Sequence, residues 1–188
     1  TDPANCTGKN RRQISYMPWG YTMGMSGMAV QNVWNCYLYD PDPDYLRERI
    51  YPVLKEVAVF YCSYIEQCAL DEDGKAILGP SFNPEHAPFG TDDNPYDLTY
   101  AKYTLDAAVK AASLLKVDDQ LVRRFKANRT LLIDYHTTPD PEQGDKSIVA
   151  NWRNAKHDAV KMYNISTPLI PLFPGEYVNW FSPDEEKA

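Results

Sequence analysis

Asp97-Leu98-Thr99-Tyr100-Ala101-Lys102-Tyr103-Thr104-Leu105-Asp106-Ala107-Ala108-Val109-Lys110-Ala111-Ala112-Ser113-Leu114-Leu115-Lys116 decides the fold class. Leu98, Ala101, Leu105, Ala108, Ala112 and Leu115 recur at steps of 3, 4, 3, 4 and 3, which draws one apolar stripe along a helix. The stretches on either side follow the same period. Upstream, Met25, Met28, Ala29, Val33, Trp34 and Tyr37 predict a helix over 24–39, stopped by Asp40-Pro41-Asp42-Pro43. Asp44 is expected to cap a short helix through Ile50, and Pro52 fits the first turn of a longer one over 53–68. Downstream, Asp118 or Asp119 is expected to cap a helix with Leu121, Phe125 and Leu132 on one face. Ser147 to Met162 is read as a further helix and 168–183 as irregular. The sequence offers no convincing strand and no short repeat, so the chain is all-α, helices joined by turns and long loops.

The remaining features set bounds. The 188 residues suit one domain or part of a larger one, and the single region 1–188 shows no internal boundary. Apolar residues at 44% permit a core, and charged residues at 24% are ordinary for a folded chain. No apolar run approaches the roughly 20 residues of a membrane helix. The chain opens Thr1-Asp2-Pro3, without Met or signal peptide, as expected of a processed chain or a piece of a longer one. Net charge is −7, with no Lys/Arg stripe, which argues against nucleic acid or an anionic membrane as partner. The 14 Tyr and 4 Trp suit sugar recognition, ring faces on pyranose faces, although core filling is their plainer use. Cys6, Cys36, Cys62 and Cys68 have no CxxC spacing, so a zinc site is not expected. Cross-helix disulfides and buried thiols both remain open readings.

Two loops, 71–96 and 137–146, are too long to be mere connectors. The first carries Gly79-Pro80-Ser81-Phe82-Asn83-Pro84-Glu85-His86, a carboxylate beside a histidine and an amide in a proline-stiffened loop. Partial burial beside Phe82 and Phe89 would raise the Glu85 pKa, which is what a general acid near neutral pH needs. An exposed loop glutamate is the plainer alternative.

Two blocks resemble glycoside hydrolase family 95, the α-L-fucosidase and α-L-galactosidase family. The first is Val33-Trp34-Asn35-Cys36-Tyr37, then Asp44-Tyr45-Leu46, then Ile50-Tyr51-Pro52-Val53-Leu54-Lys55-Glu56-Val57-Ala58-Val59-Phe60, similar to a family helix with Trp and Tyr followed by "D..FL" and "YPVLKEAA.F". The second is Pro80-Ser81-Phe82-Asn83-Pro84-Glu85-His86, similar to "PS.SPE". A weaker third, Pro168-Leu169-Ile170-Pro171-Leu172-Phe173-Pro174-Gly175-Glu176, resembles "SHL..LFPG". The resemblance implies part of an (α/α)6 toroid, the six-hairpin glycosidase architecture, incomplete in this chain. It implies an inverting glycosidase without metal or cofactor, acting on an oligosaccharide or polysaccharide outside the cytoplasm, secreted or periplasmic, with further chain completing the barrel. It places the general acid at Glu85.

The family's histidine-rich block is here Tyr163-Asn164-Ile165-Ser166-Thr167-Pro168, without histidine, and its usual first-block histidines and Trp are Asn32, Cys36 and Met28. For a second catalytic group the chain offers Asp92, Asp93, Asp97 and Asp158, and the expectation is that none stands correctly opposite Glu85. Asn83, His86, Asp97 and Trp19 are the candidate substrate contacts, Asp97 also suiting the first turn of its helix by charge–dipole attraction. Trp34 reads as core, Trp180 as packing, and His136 and His157 as surface groups. The sequons at Asn5, Asn128 and Asn164 are weak signals. Three functions compete: a hydrolase, a non-catalytic carbohydrate-binding relative, and a helical interaction module.

Overall fold

The computed structural model describes residues 22–82, 90–140, 142–155 and 167–177. Among these residues four long helices carry the fold: α1, Gly24–Tyr39; α2, Tyr51–Ile65; α3, Pro95–Leu115; and α4, Asp119–Leu131. A short turn of helix, Pro43–Tyr45, runs through a π-helical segment, Leu46–Ile50, directly into α2. The antiparallel strands β1, Thr137–Pro139, and β2, Ser147–Val149, form the one sheet among the described residues, and a 3-10 helix spans Thr167–Leu169.

The order of contacts gives the helix directions. Gly24 meets Asp97, Gly27 meets Tyr100 and Asn35 meets Tyr103, so α1 and α3 run parallel. Tyr51 bonds Asp118 and Glu66 bonds Arg124 and Asn128, so α2 and α4 also run parallel. Asp106 bonds Arg129, which sets α4 antiparallel to α3. Each parallel pair is thus bridged by antiparallel hairpins, α1 to α2 and α3 to α4.

Glycine permits the closest approach. A Cβ on Gly27 would lie 2.6 Å from Tyr100 Cβ and 2.8 Å from both Tyr100 O and Tyr61 Oη. With no side chain there, the Gly27 N–H donates to the Tyr61 hydroxyl, which donates in turn to Met23 O. The predicted stripe of α3 is the seam of the core: Leu98, Ala101, Leu105, Ala108 and Ala112 are inaccessible. Small alanines there let α3 touch α1, α2 and α4 at once, with Trp34, Leu54, Tyr61, Ile65 and Phe125 filling the space between.

Several local expectations are corrected. Asp42, not Asp44, caps the helical turn at 43, accepting from the N–H groups of Asp44 and Tyr45. Asn94 caps α3, so that the helix begins at Pro95, two residues before the expected start at Asp97. Asp118 precedes α4 but its carboxylate accepts from the Tyr51 hydroxyl and pairs with Lys55 instead of capping. The helix expected over 147–162 begins as strand β2, because Ser147-Ile148-Val149 pairs with Thr137-Thr138-Pro139 and the β-branched residues suit a pleated surface. Residues 156–162 of that expectation lie outside the described residues. Cys36, Cys62 and Cys68 are free thiols, and burial pushes the Cys62 thiol up to about 12.

Candidate functional site

The described residues on the two sides of the stretch that holds Glu85, 78–82 and 90–94, pair with each other as a stem. Ser81 and Thr91 exchange two backbone hydrogen bonds of 2.9 Å. One step lower, Asp93 N donates to Leu78 O and Leu78 N donates to Asp93 Oδ1, both at 2.7 Å. The Tyr64 hydroxyl ties Gly79 O to α2, and Thr22 donates to Phe82 O.

Two buried aspartates hold this stem. Asp97, in the first turn of α3, has no accessible surface. One carboxylate oxygen accepts from Gly24 N at the start of α1; the other accepts from the Ser81 hydroxyl and from Asn94 Nδ2. Asn94 also donates to Ser81 Oγ and accepts from Asp97 N as the cap of α3. Burial pushes the Asp97 carboxyl up to about 6, against the hydrogen bonds from Ser81, Asn94 and the backbone, which pull it down.

Asp93 sits in the left-handed region, φ 51, with its side chain fully buried. Its second oxygen receives His136 Nε2 and Arg153 Nη1, each at 3.0 Å, and Arg153 reaches on to Asp71. Arg153 N also donates to Asp92 O. Three consecutive residues beyond α4 are therefore strapped to the stem and to α3. Asp134 is bound by Lys102 Nζ, the Tyr135 hydroxyl by Thr99, and His136 by Asp93. Lys102 is buried against the Tyr135 ring, 4.3 Å from its centroid, and burial lowers its pKa to about 8.

Of the residues singled out in the sequence, Asn83, Glu85, His86, Trp19, Trp180, His157 and Asp158 lie outside the described residues. Asp97 is inside, and its carboxylate is taken up wholly by protein donors, so no oxygen of it faces solvent for a substrate. Asp93 is equally committed. Asp92 is half-buried, and burial together with the neighbouring Asp93 raises its carboxyl. His136, expected at the surface, is instead a partner of the buried Asp93, because the hairpin folds back over the stem. Trp34 is core, as expected. Asn128 of the second sequon is buried and bonded to Glu66.

Ser81, Asn94, His136 and Arg153 were not among the site residues read from the sequence. Asn94-Pro95, a capping side chain before a first-turn proline, could have revealed Asn94. Nothing local marks Arg153, whose partner Asp93 lies 60 positions away.

The glycosyl hydrolase family 95 catalytic domain matches residues 2–187, and the chain belongs to this family. Its helices are part of the (α/α)6 toroid of that catalytic domain. Among similar proteins is a probable alpha-fucosidase A of Aspergillus niger, 35% identical over 70 residues, which is 37% of this chain and 9% of the fungal protein. Another is alpha-L-fucosidase 2 of Arabidopsis thaliana, 24% identical over 185 residues, 92% of this chain and 20% of the plant protein. The chain thus spans about a fifth or less of the length of these relatives.

Proposed function

We propose that this chain forms one continuous region, 1–188, of a glycosidase catalytic domain that hydrolyses an α-L-fucoside-type glycan, with Glu85 as general acid. Family membership over residues 2–187 carries the activity. The fucosidase names of the two relatives support the sugar class. The observation that carries Glu85 is its motif, Pro80-Ser81-Phe82-Asn83-Pro84-Glu85-His86, and the described residues that flank it are paired through Ser81 and Thr91 and held by buried Asp93 and Asp97.

In this reading the Glu85 carboxyl gives its proton to the glycosidic oxygen as the bond to the sugar breaks. A water, deprotonated by a second group on the opposite face, adds to the anomeric carbon and inverts it. The two carboxyl groups of such a site stand roughly 6.5–9.5 Å apart, leaving room for the water. Asn83, His86 and Trp19 are the proposed sugar contacts. A polymeric or cell-surface glycan as substrate supports a secreted or periplasmic protein. The further length of the relatives supports a barrel completed by more chain. No described helix is long and apolar enough to cross a membrane, and no described side chains cluster as a metal site.

One observation favours a second reading. Asp93 and Asp97, two of the four candidate partners of Glu85, are buried and fully occupied. A chain whose water-activating group has been lost would bind glycans without cleaving them. Proton NMR of the full-length protein acting on an α-L-fucoside separates the readings. Early release of the β-anomer is expected. Early α-anomer would remove inversion, and binding without release would establish the non-catalytic relative.

A further inference from the structure

We propose that the cleft between the later halves of α1 and α3, bordered by residues 175–177, is a binding subsite for one neutral sugar ring of a glycan. The class of ligand rests on the glycosidase reading, and the site itself is built from described residues.

The cleft holds about 170 Å3. Trp34 of α1 and Tyr103 of α3 form its aromatic part, and Asp106, Lys110, Glu176 and Tyr177 supply polar atoms. Aromatic rings with a few convergent polar groups in a concavity are what a small-ligand site requires. The border at 175–177 is fixed by the protein itself. Gln31 Nε2 donates to Pro174 O, and the Tyr177 hydroxyl donates to Asp106 Oδ2 at 2.9 Å. A Cβ on Gly175 would lie 2.4 Å from both Ile170 O and Thr99 Cγ2, so the chain is pressed close to α3 there. Glu176 follows in the left-handed region, φ 60, uncommon for a residue with a side chain. Residues held in that region gather at ligand clamps.

The polar atoms of the cleft have bonding capacity to spare. Arg129 Nε and the Tyr177 hydroxyl both donate to Asp106 Oδ2, so Oδ1 has no donor among the described residues, and 42% of that side chain is exposed. Lys110 and Glu176 are exposed and make no hydrogen bond or ion pair among the described residues, not even with each other.

The balance of charge selects the ligand. Arg129 offsets Asp106 and Lys110 offsets Glu176, so the cleft has no net charge to draw in an anion or a cation. It presents a donor, Lys110 Nζ, together with acceptors on Asp106 and Glu176. A sugar hydroxyl both donates and accepts, and the C–H face of a pyranose suits the aromatic rings. An apolar helix filling the cleft would instead bury these groups without partners. Asp106 follows Asp97 by nine positions on α3, a rise of about 14 Å, so the cleft is well separated from the Asp97 network at the start of that helix.

The test uses the full-length protein, the variants Lys110→Met and Glu176→Gly, and the two combined. Glycine suits the left-handed backbone at 176, and an unchanged or raised thermal midpoint should show that the fold is kept. KM is measured on a fucosylated oligosaccharide and on an aryl α-L-fucoside, a single-sugar substrate that leaves the subsite of a second ring empty. The double variant should raise KM for the oligosaccharide about 10-fold and for the aryl substrate less than about 2-fold. Amide exchange over 175–177 should slow when a thio-linked, uncleavable analogue of the oligosaccharide binds the wild type, and not when it is added to the double variant. Absence of either effect, or an equal rise in KM on both substrates, would overturn the subsite while leaving the glycosidase reading in place. A wild type that neither cleaves nor binds the oligosaccharide would remove that reading and the subsite with it.

Discussion

Asp97 binds its proton more tightly in the folded chain than in the unfolded one. Burial raises its pKa from 3.8 to about 6, so its neutral form favours the fold. The stability this group contributes is present below about pH 4 and is lost as pH rises through the window up to about 6. Two units correspond to about 3 kcal/mol. Other groups titrate oppositely: the Arg124 guanidinium holds the Glu66 carboxyl down at about 2, so its contribution is lost only as pH falls toward that value. Such terms are common to the wild type and to Asp97→Asn and cancel in their difference. Urea unfolding at several pH values should show the wild type losing up to about 3 kcal/mol relative to Asp97→Asn between pH 4 and pH 7. A difference independent of pH would show that Asp97 does not carry the titration. Removing the side chain is a different matter. Asp97→Ala leaves Gly24 N, the Ser81 hydroxyl and Asn94 Nδ2 without their acceptor, and should cost about 3 kcal/mol or more, read as a fall in the denaturant midpoint.

At the scale of elements, α1 and α3 meet through glycine. Gly27→Ala forces a methyl into the Tyr100 backbone and the Tyr61 hydroxyl, and should destabilise the protein by about 2–3 kcal/mol in thermal or urea unfolding. An unchanged midpoint would mean that the two helices do not pack this closely. The hairpin β1–β2 is tied to the stem through buried Asp93, which bonds His136 and Arg153. Arg153→Ala strips one cation from buried Asp93, with an expected loss of about 2 kcal/mol. Amide exchange should quicken over 137–149 while α3 stays protected, and uniform quickening would deny the hairpin its separate clasp. These elements also show where sequence reading succeeds. The span Gly24–Tyr39 was legible because an apolar period runs into Asp40-Pro41 and stops. The stripe from Leu98 to Leu115 was legible because burial on three sides demands a regular repeat. The hairpin was not, since three-residue strands are too short to show alternation. Nor was the Asp93 cluster, whose partners His136 and Arg153 are 43 and 60 positions away and are brought together only by the folded chain.

For the whole molecule, the parallel pairing of α1 with α3 and of α2 with α4 is what a toroid of helical hairpins requires. The family places those hairpins in an (α/α)6 ring. Exposed apolar side chains accompany the described portion: Leu38, Tyr39, Leu169, Leu172 and Phe173 all present at least half of their surface. Further helices of the ring would cover such groups. At the starting ends of α1 and α3, the described residues on either side of the Glu85 stretch are held by buried Asp93 and Asp97. The proposal of Glu85 as general acid rests on its motif, Pro80 to His86, and not on composition or periodicity. The rate of the Glu85→Gln variant of the full-length protein on a natural α-L-fucosyl glycan tests this account most directly. A fall in kcat of about 1,000-fold or more, with the fold intact and an aryl substrate much less affected, is the predicted result. Near-wild-type turnover of the glycan would contradict it.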